Sequence, residues 1–312
     1  MQHFLYKLLK STLAVLALCS CQVFAQHWPL SGNVVTHDPT LAWESGVWYE
    51  MQTGPGIYGK YSLDGLYWNG LPAVFPNGLS WWKNYVPNQS GIDVWAPDLR
   101  HYRGRVWLYY SISTFGSRVS AIGLASAPSI ASGQWRDDGL VIATNNSHNY
   151  NAIDPDLAID ASGNPWLSFG SWNSGIKLVR INSSTMKPSG SIYSLASRSG
   201  GIEAPAIMYR GGYYYLFVST GTCCAGVNST YQIRYGRSSS ITGPYVDRNG
   251  VNMMNGGGSL LDGGNSVWRG PGGQDIFNTD LIVRHAYDAT DNGTPKMLIS
   301  FLKFDSSGWP TY

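Results

Sequence analysis

One short pattern recurs along the chain and restricts its possible folds more than any other feature. His37-Asp38-Pro39-Thr40-Leu41, Trp95-Ala96-Pro97-Asp98-Leu99, Ile153-Asp154-Pro155-Asp156-Leu157 and Glu203-Ala204-Pro205-Ala206-Ile207 each set Asp or Ala before Pro, then any residue, then Leu or Ile. Each copy is followed by a Gly-containing turn and a strand-like aromatic run: Val47-Trp48-Tyr49, Val106-Trp107-Leu108-Tyr109-Tyr110, Trp166-Leu167-Ser168-Phe169 and Tyr213-Tyr214-Tyr215-Leu216-Phe217. The prolines stand 58, 58 and 50 residues apart. A weaker fifth copy starts at Gly270-Pro271 and carries Leu281-Ile282-Val283 and Met297-Leu298-Ile299-Ser300-Phe301. Internal repeats of this kind mark architectures built by stacking one unit. A unit of this length, made of short β runs joined by Gly, Asn and Ser turns, matches a four-stranded propeller blade. The expected fold is all-β, a single-domain five-bladed β-propeller over residues 26–312. No stretch shows a long, capped 3.6-residue periodicity. A plain pair of β-sandwiches would leave the Pro-marked strand starts unexplained.

Charge is sparse and balanced. The 21 Lys and Arg against 19 Asp and Glu exclude a nucleic-acid or membrane-surface partner. An aromatic content of 13% with 37 glycines points instead to a turn-rich β protein with an aromatic surface, and to carbohydrate as its partner. Residues 1–25 carry Lys7 and Lys10, an apolar run from Leu13 to Leu18, and Val23-Phe24-Ala25. These are the parts of a secretory signal cut after Ala25, which implies a secreted, extracellular protein, expected to be monomeric. The apolar run falls short of the roughly 20 residues a membrane span needs. Cleavage takes Lys7 and Lys10 away and brings the formal net charge from +2 to zero. Cys19 and Cys21 leave too, so only the neighbours Cys223 and Cys224 remain, and two adjacent cysteines cannot staple a fold. Oxidised, they would form a vicinal ring that stiffens a turn; reduced, they would be small buried hydrophobes.

The first strand of each propeller blade lines the central channel, so residues beside the repeated prolines converge in space. Asp38, Asp154 and Glu203 then meet at one mouth, with Trp95 from another blade. Cleavage of a glycosidic bond needs one carboxylic acid to protonate the leaving oxygen and one carboxylate to activate water or attack the anomeric carbon. A third carboxylate raises the acid's pKa by like-charge repulsion. Taken singly, each acid has a bland reading: Asp before Pro serves turn geometry, and a lone Glu is a solvated charge. Glu203 also aligns with His37, Trp95 and Ile153, one position before Asp38 and Asp154, so a regular strand would turn it to the opposite face. Asp98 and Asp156 share the Asp38 face two residues deeper and are read as structural. Trp95, Phe115 and Trp172 are packing residues by default, and sugar-stacking residues if they stand at the rim. Gly54-Pro55-Gly56-Ile57-Tyr58-Gly59 matches a dinucleotide fingerprint, but no helix follows it. His285 lies in the fifth copy, where a lone His is more often a hydrogen-bonded core residue than a ligand.

Val35-Thr36-His37-Asp38-Pro39, Asn151-Ala152-Ile153-Asp154-Pro155, Ile202-Glu203-Ala204-Pro205 and Gly221-Thr222-Cys223-Cys224-Ala225-Gly226 with Ser229-Thr230-Tyr231 resemble endo-1,5-α-L-arabinanases of glycoside hydrolase family 43. The likeness extends through Tyr235-Gly236-Arg237-Ser238 and Gly243-Pro244-Tyr245 to Gly308-Trp309-Pro310. It implies a five-bladed propeller that hydrolyses α-1,5-linked arabinan and arabino-oligosaccharides with inversion. Asp38 would be the general base, Glu203 the general acid, and Asp154 the group that orients the acid and raises its pKa. Inversion implies that the Asp38 and Glu203 carboxyls lie roughly 6.5–9.5 Å apart. The resemblance further implies that His285 helps hold a calcium ion at the channel through water. Many bacterial members carry Gly-His-Asn where this chain has Gly272-Gly273-Gln274, which removes a second His. The same fold also serves exo-acting arabinanases, arabinofuranosidases and xylosidases, and a non-cleaving sugar-binding propeller is the alternative from another class.

Overall fold

The computed structural model describes residues 27–312, and the expected leader with Cys19 and Cys21 lies outside them. Strands form where β-branched and aromatic residues run together, as in Tyr213–Thr220, and break at Gly turns such as Gly211-Gly212. Blade 1 holds Thr40–Glu44, Val47–Gln52, Tyr58–Ser62 and Tyr67–Leu71; blade 2 holds Asp93–Tyr102, Arg105–Ile112, Ser120–Ala127 and Arg136–Thr144. Blade 3 holds Asp156–Ile159, Pro165–Phe169, Ile176–Ile181 and Pro188–Ala196; blade 4 holds Ile202–Arg210, Tyr213–Thr220, Gln232–Ser238 and Ser259–Asp262. Blade 5 has three strands, Trp268–Phe277, Leu281–Asp288 and Thr294–Phe301. The five inner strands contact one another in cyclic order, closing a five-bladed propeller.

The ring closes through the start of the described chain. The Trp28 amide donates to the Ile299 carbonyl at 2.8 Å, and Met297 donates to Val34 at 2.9 Å, so residues 27–36 run beside the last strand of blade 5. The same segment pairs in parallel with blade 1, Ser31 opposite Tyr67 and Gly32 opposite Trp68. A buried Lys60 fastens it by donating to the Val35 carbonyl at 2.7 Å, beside buried Glu50. One segment therefore clasps the first and last blades.

There is no single core. Successive residues of a strand face opposite sides, so each blade packs against both neighbours through alternating side chains. Leu216 joins Leu178 and Ile207 between blades 3 and 4, while Phe217 joins Ile276 and Ile282 between blades 4 and 5. Tyr110 packs with Met51 of blade 1, and adjacent Tyr109 packs with Leu157 of blade 3. Each such large apolar side chain removed from water contributes about 1.5–3 kcal/mol.

The repeated motif has a common backbone form. Asp38, Ala96, Asp154, Ala204 and Gly273 all adopt left-handed φ, between 41° and 56°. A side chain in that region costs about 1–2 kcal/mol, so the four instances other than Gly273 require compensation. The fifth copy is thereby corrected: its equivalent of Pro39 is Gln274, not Pro271, because Gly273 carries the left-handed turn and Asp275 matches Thr40. The turn also interrupts the ladder, with register shifts between Trp95 and Asp98, Glu203 and Ala206, and Gly272 and Asp275.

Candidate active site

Two rings of hydrogen bonds between blades hold the channel. In the first, each left-handed residue gives its amide proton to a side chain of the preceding blade. Ala96 donates to Thr53 at 2.9 Å, Asp154 to Ser111 at 3.0 Å, Gly273 to Ser219 at 3.0 Å, and Asp38 to His285 Nδ1 at 3.2 Å. Blade 3 has Gly170 at the position of these acceptors, where it donates to the Ile153 carbonyl. With no side chain there, the Ala204 amide is received by Asp154 Oδ2 at 3.0 Å. In the second ring, the residue after the proline, or after Gln274 in blade 5, accepts from the next blade. Asp98 takes the Leu157 amide at 2.8 Å, Asp156 the Ile207 amide at 2.9 Å, Asp275 the Leu41 amide at 3.1 Å, and Thr40 the Leu99 amide at 3.1 Å. Ala206 has no acceptor to offer, and Gln274 bridges blades 4 and 5 instead, donating to the Ala204 carbonyl at 2.6 Å and accepting from Ser219 at 2.7 Å. These bonds offset the strain of the turns.

Above the first ring lie the three acids. Asp38 and Asp154 line one cavity at the channel mouth with Ala204 and Gly273. Glu203 joins them electrostatically, as its charge bears on both Asp154 and His37. The face expected from strict alternation does not apply to Glu203, because the left-handed turn at Ala204 breaks the ladder just beyond it. Asp38 Oδ2 accepts from His37 Nδ1 at 2.9 Å and from Thr53 Oγ1 at 2.8 Å. Burial pushes its carboxyl up, but His37, His285 and the Thr53 hydroxyl hold it well below the usual carboxylate range. Glu203 behaves oppositely. Burial, aided by the Asp38 charge, raises it above the usual range in spite of hydrogen bonds from Ser171, at 2.7 Å, and Tyr231. Asp154 is also raised, by burial first and then by Glu203 and Asp38. Asp154 and Glu203 thus ionise as a pair in which each carboxylate opposes the other's.

The aromatic candidates stand at the same end of the propeller. Trp95 immediately precedes the left-handed Ala96 and is half-buried. Phe115 follows the second strand of blade 2 and is 86% exposed. Trp172 follows the second strand of blade 3, 47% exposed, with its indole over Gly201, where a Cβ would meet it at 2.7 Å.

Among the described residues two clusters have metal-ligand spacing. Asp98, Asp156 and Asp275 could hold an ion by distance, but Arg100 already sits among them, 3.0 Å from Asp98 and 3.2 Å from Asp156 and also paired with Asp275. His37, Cys223 and His285 form the second. Cys223 is bonded to Cys224, so its sulfur is no thiolate; the pair is a vicinal ring at the mouth, Cys224 exposed rather than buried. His285 is fully buried between the rings of His37 and Tyr231, and burial pushes its pKa down to about 3. Its Nε2 has no partner among the described residues. Sequence reasoning passed over His37, Ser171, Tyr231, Gln274 and Tyr287. His37 and Tyr231 lie inside quoted motifs, but nothing local showed what they touch.

Comparison with known proteins agrees with this geometry. Residues 31–310 match the family model of glycosyl hydrolases family 43. The extracellular endo-α-(1→5)-L-arabinanase 1 of Bacillus subtilis (strain 168) is 56% identical over 295 residues, covering 92% of this chain and 90% of that protein. An extracellular exo-α-(1→5)-L-arabinofuranosidase of Cellvibrio japonicus is 39% identical, covering 89% of this chain and 86% of that one. The GH43 endo-arabinanase structure from Bacillus licheniformis superposes with a TM-score of 0.90 at 59% identity, covering 91% of this chain and all of the other. A five-bladed propeller with buried carboxyls of unequal acidity at its mouth, matched over almost its whole length, leaves one conclusion: the chain belongs to glycosyl hydrolases family 43.

Proposed function

We propose that this protein is a secreted endo-1,5-α-L-arabinanase that cleaves arabinan and arabino-oligosaccharides in one inverting step. The observation that carries this reading is the opposed acidity of two carboxyls at one channel mouth, Asp38 held down and Glu203 held up. Asp38, ionised, takes a proton from a water as that water attacks the anomeric carbon. Glu203, protonated, gives its proton to the departing oxygen as the glycosidic bond breaks. The displacement comes from one face, so an α linkage yields a β product. Asp154 has two supports: it fixes the Ala204 amide beside Glu203, and it is a second buried carboxyl whose ionisation and that of Glu203 oppose one another. Trp95, Phe115 and Trp172 are assigned to stacking on furanose rings along the cleft.

The endo assignment follows the closer relative over the exo-acting one. Among the described residues no helix is long and apolar enough to cross a membrane, and a monomer needs no other chain to complete this mouth. Calcium, an oxygen-seeking ion, finds no protein-built cage among the described residues, and His285, whose Nδ1 accepts the Asp38 amide, carries its proton on the buried Nε2, which offers a cation no lone pair.

Proton NMR of the first-formed product tests the mechanism: β-arabinofuranose is expected, and an α product would require a nucleophilic carboxylate. Early products from linear arabinan test the mode, since a ladder of oligomers means endo action and a single short product means exo action.

A further inference from the structure

Oδ2 of Asp38 accepts two hydrogen bonds, whereas Oδ1 accepts none among the described residues and stands 3.5 Å from His285 Nδ1. Gly273 keeps the space beside Oδ1 open, since a Cβ there would lie 2.2 Å from it. One oxygen is thus pinned and the other is left for the reaction.

What pins it is a directed chain. The Cys224 amide donates to the Tyr287 hydroxyl oxygen at 3.0 Å, so the hydroxyl proton is free to point elsewhere. Its partner is His37 Nε2 at 2.9 Å. With Nε2 accepting, a neutral imidazole carries its proton on Nδ1, and that atom faces Asp38 Oδ2 at 2.9 Å. The His285 ring, stacked 3.8 Å away at 23°, keeps the imidazole from tilting out of line. We infer that His37 is a positioning residue, its tautomer set by Tyr287, which turns Asp38 so that Oδ1 receives the proton of the attacking water. This rests on Asp38 being the base. None of the groups in the chain bonds covalently to substrate.

The test uses the full protein and two substrates: a linear arabino-oligosaccharide, and an aryl α-arabino-oligosaccharide whose good leaving group needs little help from an acid. Tyr287→Phe should lower kcat on the order of 10- to 100-fold with KM within about twofold, as expected when a reacting group is misplaced rather than removed. The loss should be equal on both substrates, because the base is needed for each. His37→Asn, whose side-chain amide offers a donor toward Oδ2 with no tautomer to control, should retain more activity than His37→Ala. In the His37→Asn background, Tyr287→Phe should have no further effect, a non-additive cycle. Nitrogen-15 NMR of His37 should report the Nδ1–H tautomer in the parent and its loss in Tyr287→Phe, a readout that holds even if activity is confounded by folding. Additive losses, an Nε2–H tautomer in the parent, a rise in KM alone, or a loss that shrinks on the aryl substrate would each overturn the inference. Asp38→Asn is the separate control: full activity there removes the base assignment itself, whatever the His37 cycle shows.

Discussion

The channel carries two layers of buried carboxyls. Asp38, Asp154 and Glu203 stand at the mouth; Asp98, Asp156 and Asp275 lie two residues deeper. Both layers are acidic and desolvated, yet their oxygens are used differently. In the deeper layer Asp156 accepts from Arg100, Ser168 and the Ile207 amide, and Asp275 from Arg100, Thr40 and the Leu41 amide. At the mouth no guanidinium intrudes, and Asp38 and Asp154 each leave Oδ1 without a donor among the described residues. Burial alone therefore does not mark a reacting carboxyl. What separates the two layers is the oxygen that Asp38 and Asp154 each keep without a donor among the described residues.

Several variants would break or sharpen this contrast. Asp38→Asn and Glu203→Gln should each lower kcat by about 10²–10⁴-fold with thermal unfolding little changed, since each amide keeps a carbonyl oxygen to accept from the Thr53 or Ser171 hydroxyl. Asp154→Asn should cost toward the lower end, about 10²-fold, and should also move the basic limb of the rate profile to lower pH. Removing that neighbouring charge lets Glu203 lose its proton earlier, so pH-resolved kcat/KM checks it.

The deeper layer should answer in stability. Arg100→Met leaves the carboxyls without their cation and should destabilise by about 3–5 kcal/mol, read by denaturant unfolding, while the remaining folded molecules still hydrolyse arabinan. Gln274→Ala removes the bridge between blades 4 and 5 and should cost about 1–3 kcal/mol. The smallest expected effect is a slope. Burial pushes Asp156 up to about 6, so the native state holds a proton that the unfolded chain has lost. Its contribution to stability is full below about pH 4 and disappears as pH rises through 6. Asp156→Asn should remove that component of the melting-temperature profile.

Much of this was legible in the chain. The Pro-marked repeat predicted five blades, since each inner strand starts with the same turn. Asp38 and Asp154 stood out because they sit in that turn. Glu203 was harder: period-two alternation placed it on the wrong face, and only the left-handed residue after it restores its position. The fifth copy was misaligned by three residues because Gln274 replaces the proline that flags the others. His37 and Tyr287, 250 residues apart, could not be connected by any local rule.

Sequence alone determined the blade, because alternation, Gly turns and Pro-marked strand starts act over a few residues and survive in a linear string. It also determined which residue types stand at the channel. Tertiary structure decided what each carboxyl became. Whether an acid is paired with Arg100, capped by a neighbouring amide or left with a free oxygen depends on side chains delivered by other blades, and a carboxyl's acidity is set by what closes around it in space.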